Sequence, residues 1–114
     1  MNVVLYGKPK GLLELTDLLK PFAEIESVSV FEHFPLILDH LSSHTADITM
    51  LDADDEISWQ YITGRIRKIN ANSRIVLLSS NMDDAVRAYD AGVFDYLLKP
   101  VKENQLERVV RKCD

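Results

Sequence analysis

The sequence has little of several residue types, with one cysteine, one tryptophan, four glycines and four prolines among 114 residues. A lone cysteine, Cys113, excludes an internal disulfide and suits a reducing compartment, where we expect it to pack in a terminal helix. No apolar stretch approaches the roughly 20 residues that span a bilayer. The N-terminus lacks the basic region and cleavage site of a signal peptide. These absences predict a cytoplasmic protein with no membrane segment.

Positive charge is also scarce, because 13 lysines and arginines face 18 acidic residues and the net charge is -5. A domain that binds nucleic acid directly needs a basic face, so we expect no direct nucleic-acid contact. The composition, 46% hydrophobic and 27% charged, is that of an ordinary globular protein. The length predicts one domain, over residues 1–114.

Five short apolar runs alternate with five amphipathic stretches. The runs, each a predicted strand, cover residues 3–6, 27–31, 48–51, 75–78 and 94–98. The second run is more mixed than the others, which predicts an edge strand. The stretches between the runs carry apolar residues at helical spacing, and the fourth helix is predicted over residues 83–91. Strands separated by helices imply a parallel sheet with right-handed crossovers, so the predicted class is α/β, a doubly wound (βα)5 sheet of five strands.

Three of the apolar runs end in polar side chains that suit phosphoryl chemistry. Asp52 follows the third run, Ser79 the fourth, and Lys99 precedes Pro100 after the fifth. The carboxyl ends of parallel strands meet at one edge of the sheet, so we expect these groups to lie together. A carboxylate can accept a phosphoryl group, while a hydroxyl and an ammonium neutralise part of the charge on its oxygens.

The segments "ITMLDAD", "IVLLSS" and "AGVFDYLLKPV" contain these three residues in order. On these motifs the chain resembles the receiver domain of bacterial two-component response regulators over essentially its whole length. The resemblance implies a non-enzymatic signalling domain with a flavodoxin-like fold. It also implies a longer parent protein with an output domain, and the ending "DYLLKPVKENQLERVVRK" is similar to receivers that precede a DNA-binding output domain.

The resemblance assigns a role to each of these residues. Asp52 would accept a phosphoryl group from a histidine kinase or a small phosphodonor. Ser79 and Lys99 would each contact a phosphoryl oxygen, with a cis bond between Lys99 and Pro100. Tyr96 would be an aromatic switch that rotates inward, the alternative being a rim aromatic that never moves. A static ion pair between Lys99 and Asp52 is a further alternative.

The sequence departs from the receiver pattern where the resemblance implies a magnesium site. Tyr6 and Gly7 occupy the positions of the expected acidic pair, and Lys8 adds a positive charge. Magnesium prefers several oxygen ligands, carboxylates among them, and Asp52 alone is a poor site. We therefore predict no cofactor, and a bound Mg²⁺ is the alternative.

The loop after Asp52 carries further acids, Asp54, Asp55 and Glu56. In one interpretation Asp54 and Asp55 join Asp52 and rebuild a metal site. The favoured interpretation is a solvated acidic loop that helps to begin the third helix. We expect Trp59, which follows this loop, to be half-buried near Asp52.

Charged residues around the last two helices fall on the segment that receivers use for dimer or partner contacts. The candidate interaction face comprises Arg87, Asp95, Lys102, Arg108 and Arg111. A homodimer through the fourth and fifth helices is the implied arrangement, and solvated helix faces are the alternative.

Three functions remain open from the sequence. The favoured one is an atypical receiver that works by docking or dimerisation without phosphorylation. The second is a working phospho-switch at Asp52. The third is a flavodoxin-like domain that binds a ligand through residues 7–11, although this segment lacks the glycine spacing of a phosphate loop and contains Pro9.

Overall fold

The computed structural model describes residues 1–113. Five strands and five helices alternate strictly along the chain. The strands are β1 (Asn2–Tyr6), β2 (Ser27–Phe31), β3 (Ile48–Asp52), β4 (Arg74–Ser79) and β5 (Asp95–Leu98). The helices are α1 (Pro9–Leu19), α2 (Phe34–Leu41), α3 (Trp59–Ile69), α4 (Ala85–Asp90) and α5 (Glu103–Lys112).

The strands form one parallel sheet in the order β2-β1-β3-β4-β5. This confirms the predicted (βα)5 architecture and the edge position of β2. The chain order reverses direction beside β1, and β1 and β3 are neighbours in the sheet. In such sheets the crevice at the carboxyl ends of the strands is where ligands bind.

The sheet is covered on both faces, because successive side chains of a strand point to opposite sides. Val3 and Leu5 of β1 pack on the side of α1 and α5. Val4 and Tyr6 pack on the side of α2, α3 and α4. Trp59, the first residue of α3, lies in this second core with 5% of its surface exposed, so it is buried rather than half-buried as predicted.

Two helix ends explain how the chain turns near the site. The predicted fourth helix covers too many residues, because the Asp83 amide donates to the Asn81 side chain and α4 begins only at Ala85. Gly92 follows α4 with φ of 85°, a left-handed conformation that favours glycine.

Cys113 packs against the core beside α1 and α5, as expected. Within residues 1–113, no helix has the length and apolarity that a membrane crossing requires.

Candidate functional site

Asp52, Ser79 and Lys99 meet at the carboxyl edge of the sheet. Asp52 is the last residue of β3, Ser79 the last of β4, and Lys99 follows β5 directly. The Lys99–Pro100 peptide bond is cis. The Lys99 amide donates to the Ser79 carbonyl at 2.8 Å, and the Lys99 Nζ lies 2.8 Å from the Asp52 Oδ1. The three residues that the sequence selected therefore form one cluster, in which Lys99 and Asp52 are an ion pair.

A fourth side chain, Asp54, enters the centre of this cluster. Its Oδ1 accepts a hydrogen bond from the Ser79 hydroxyl at 2.9 Å. Its Oδ2 accepts one from the Ser80 backbone amide at 2.9 Å and lies 3.1 Å from the Lys99 Nζ. The Asp54 amide donates to the Asp52 Oδ1 at 2.9 Å, an Asx-type turn that fixes the start of the loop. The Asp54 carboxylate thus accepts hydrogen bonds from a hydroxyl and a backbone amide and forms an ion pair with an ammonium.

These contacts determine the electrostatics of the cluster. Burial would raise the pKa of Asp54, but hydrogen bonds from Ser80, Ser79 and Lys99 outweigh it and lower the pKa to about 2. Burial likewise disfavours the charged form of Lys99, yet the carboxylates of Asp52 and Asp54 raise its pKa above the usual value. The lowered pKa of Asp54 and the raised pKa of Lys99 both favour the charged forms of these two groups at neutral pH.

The depressed pKa of Asp54 predicts a dependence of stability on acid. The folded state holds the ionised carboxylate, so its stabilisation is complete above the ordinary pKa near 3.8 and is lost as pH falls through about 2. Between pH 5 and pH 2 we expect the wild type to lose about 1–2 kcal/mol more unfolding free energy than Asp54→Asn. Urea unfolding at each pH measures the difference. Glu56→Gln, in the same loop, should follow the wild type, and parallel curves for wild type and Asp54→Asn would contradict the prediction.

The positions expected to hold magnesium carry no carboxylate. The Tyr6 hydroxyl donates to the Asp55 Oδ2, and burial together with this acid raises the pKa of Tyr6 above its usual value. Gly7 lies beside Asp52, where an added Cβ would be 3.4 Å from the Asp52 Cβ. Asp52, Asp54 and Asp55 each bind a different set of protein donors. Within residues 1–113, no group of three or more His, Cys, Asp or Glu side chains is arranged to hold a metal ion.

The acidic loop is exposed to solvent at Asp54 and Glu56, in agreement with the solvated loop that the sequence favoured. The carboxylates of Asp54 and Asp55 nevertheless also bind protein groups. The sequence did not predict these contacts, which form because the Asx-type turn directs the chain back over the ends of β4 and β5. The spacing of Asp52 and Asp54 is a signal for such a turn.

Tyr96 points into the protein, with 4% of its surface exposed. Its hydroxyl donates to the Asn81 carbonyl at 2.7 Å. The Ser79 hydroxyl also lies 3.0 Å from this carbonyl, and the Asn81 amide donates to the Ser79 Oγ at 3.0 Å. Asn81 therefore connects Ser79 with Tyr96, a role that sequence analysis did not identify because it rests on backbone atoms.

Asp95 was predicted on the interaction face, but its surface is only 1% exposed. Its carboxylate accepts hydrogen bonds from the Tyr89 hydroxyl and the Tyr96 amide, each at 2.8 Å. Arg108 and Lys112 of α5 approach it at 3.1 and 3.3 Å. Burial would raise the pKa of Asp95, but Tyr89, the Tyr96 amide and Arg108 outweigh it and lower the pKa below the usual value. Asp95 is therefore an internal counter-ion between α4, β5 and α5, and its placement on a contact surface was wrong.

The remaining residues of the predicted interaction face lie on or beside α4 and α5. Arg87 pairs with Asp84, and Arg111 pairs with Glu107. Lys102 is exposed at the start of α5, where its amide donates to the Gln105 side chain. Val86, between these charged groups on α4, is 72% exposed. The face is thus a mixture of paired charges and apolar surface.

A cavity of about 340 Å³ opens beside the cluster, next to Gly7. Gly11 and Leu12 of α1 line one wall, and Asp52 and Lys99 stand at its base. Gly7 is one of the lining residues, so a side chain introduced at this position would lie between Asp52 and Leu12 at the edge of the cavity.

Comparison with known proteins agrees with this geometry. The family model described as the response regulator receiver domain matches residues 9–111. The transcriptional regulatory protein LytR of Staphylococcus aureus strain N315 is 27% identical over 112 residues, which cover 96% of this chain and 45% of that protein. The chain therefore spans less than half the length of this curated relative.

Solved structures share the fold. The response regulatory domain of protein mrkE from Klebsiella pneumoniae superposes with a TM-score of 0.85 at 23% identity, covering 99% of this chain and 94% of that one. A response regulator from Thermotoga maritima gives a TM-score of 0.85 at 20% identity, with coverage of 98% and 95%. These similarities show that the fold is that of response regulator receivers. The chain belongs to the response regulator receiver domain family, whose members serve two-component signalling.

Proposed function

We propose that this chain is an atypical receiver domain that regulates its partner by protein contact, with weak phosphorylation or none at Asp52. The observation that carries the proposal is the replacement of the acidic pair by Tyr6 and Gly7, with the Tyr6 hydroxyl committed to Asp55. Phosphoryl transfer depends on charge neutralisation that a divalent metal normally supplies. Lys99 is then the one cation within residues 1–113 that pairs with Asp52, and the charge neutralisation that a divalent metal supplies would be missing.

We propose two kinds of partner for this domain, by analogy with response regulators. An output domain of the parent protein, a DNA-binding one by analogy with the transcriptional regulator LytR, is the first candidate. The second candidate is another copy of the chain, which would form a homodimer through α4 and α5. A histidine kinase would be a partner only in the alternative function, a receiver phosphorylated at Asp52. The cavity beside Gly7 supports the remaining alternative, a ligand-binding domain, and stabilisation by a small molecule there would favour it.

The proposal predicts the outcome of incubation with acetyl phosphate. We expect the intact mass of the wild type to be unchanged with or without Mg²⁺, as for Asp52→Ala. Gly7→Asp places a new carboxylate beside Asp52, where space exists for a side chain. For this variant we expect Mg²⁺ affinity at least about tenfold tighter than for the wild type, measured by Trp59 fluorescence.

The matched control is Gly7→Asn, which has the shape of the aspartate without its charge and should bind Mg²⁺ no better than the wild type. A wild-type phosphoryl adduct that requires both Mg²⁺ and Asp52 would overturn the proposal and establish a working phospho-switch.

A further inference from the structure

The donors around Asp54 make a site for an oxyanion. A hydroxyl from the end of β4, the next backbone amide and an ammonium from the end of β5 converge on two oxygens, at 2.9, 2.9 and 3.1 Å. Each of these groups donates to or pairs with negative charge; two come from the end of β4 and the third follows β5. The same arrangement would receive two oxygens of a phosphoryl group carried by the neighbouring Asp52.

We propose that Asp54 is the resident ligand of this oxyanion site, a carboxylate that stands in for a phosphoryl group and holds Ser79, Asn81 and Tyr96 in the switched arrangement. The inference rests on the proposed function, because an atypical receiver that is not phosphorylated needs another source of negative charge at this point. It also extends that function, since the domain then presents one fixed conformation to its partner.

The contacts beyond Asp54 form a continuous path to the surface. The Ser79 hydroxyl lies 2.9 Å from Asp54 and 3.0 Å from the Asn81 carbonyl. The same carbonyl accepts the Tyr96 hydroxyl at 2.7 Å. The Tyr96 amide in turn shares the Asp95 carboxylate with Tyr89, which is half-exposed on α4. Removal of the carboxylate at position 54 therefore removes the anchor at one end of the path.

Position and charge distinguish Asp54 from its neighbours. Asp55 is bound to Tyr6, and Glu56, which is exposed like Asp54, makes no hydrogen bond or ion pair within residues 1–113. The Asp52 carboxylate pairs with Lys99, whereas the Ser79 hydroxyl and the Ser80 amide donate to Asp54. Asp54 thus engages all three donors at once.

The test compares Asp54→Ala with the wild type in the absence of any phosphodonor and of Mg²⁺. Inorganic phosphate is the probe, and ¹H–¹⁵N NMR titration follows the amides of Ser79, Ser80 and Lys99. We expect Asp54→Ala to bind phosphate at least about tenfold more tightly than the wild type, whose site is filled. We also expect nitration of Tyr96, mapped by mass spectrometry, to rise several-fold in Asp54→Ala and to fall again when phosphate is added.

Glu56→Gln is the matched control, because it removes one negative charge from the same loop without touching the site, and it should behave as the wild type in both measurements. If Asp54→Ala does not fold, as judged by circular dichroism, Asp54→Asn replaces it, with the same expected directions. Equal phosphate affinity, or unchanged nitration of Tyr96, overturns the inference. A different result would contradict the proposed function, namely a Mg²⁺-dependent phosphoryl adduct on Asp52 of the wild type.

Discussion

Lys99→Met is expected to lower the free energy of unfolding by about 3 kcal/mol, because the substitution removes the cation from between two partly buried carboxylates. Asp52 and Asp54 lie 2.8 and 3.1 Å from the Lys99 Nζ, and their side chains are 14% and 31% exposed. Without the ammonium, their mutual repulsion is opposed only by neutral donors. Urea unfolding followed by Trp59 fluorescence measures the loss, since Trp59 is buried in the native state.

Lys10→Met is the control for the loss of a surface lysine, because Lys10 is exposed on α1, and it should change stability by less than about 0.5 kcal/mol. Adding Asp54→Asn to Lys99→Met should restore part of the loss, since one of the two repelling charges is removed. A loss for Lys99→Met no larger than that for Lys10→Met would show that solvent alone neutralises the cluster.

Asp95→Ala is expected to destabilise the domain by a similar amount, about 3 kcal/mol, or roughly 10 °C in Tm. The Tyr89 hydroxyl and the Tyr96 amide would lose their acceptor, and Arg108 would lose its counter-ion. Asp95→Asn keeps an acceptor oxygen and should lose about half as much. Differential scanning calorimetry measures both variants.

Two control variants test whether the loss of stability in Asp95→Ala comes from the burial of this carboxylate or from the loss of a negative charge. Asp90→Ala removes an exposed carboxylate from the end of α4 and should be nearly neutral. Arg108→Ala should cost about 1 kcal/mol or less, because the Arg108 side chain is half-exposed and Lys112 remains beside Asp95. An Asp95→Ala variant as stable as Asp90→Ala would contradict the role of Asp95 as an internal counter-ion.

The sequence predicted the strand ends well, because nearly continuous apolar runs indicate strands covered on both faces. Asp52, Ser79 and Lys99 follow such runs, so the parallel topology alone brings them to one edge. The edge position of β2 followed in the same way from its weaker apolar pattern.

The sequence did not predict what Asp54 does. Its carboxylate reaches Ser79 and Lys99 only because the loop after β3 turns back over the neighbouring strands, and loop conformation is not encoded in a periodic pattern. Asp95 was misplaced for a related reason. It was assigned to the interaction face because it falls on the segment that receivers use for contacts, whereas its burial depends on Arg108 and Lys112, which come from a helix later in the chain.

The pairing of charges within the chain has a consequence for how α4 and α5 meet a partner. Arg87, Arg108 and Arg111 each already have an acidic neighbour on the same molecule. Opposite charges that close together cancel at distances beyond the screening length of physiological salt, so this face sends little electric field into solution. If a partner binds this face, we expect its association rate to depend on diffusion and on the fit of apolar groups such as Val86 more than on long-range steering. The dependence of that rate on ionic strength should then be small and should come mainly from Lys102, which is exposed and carries no ion pair within residues 1–113.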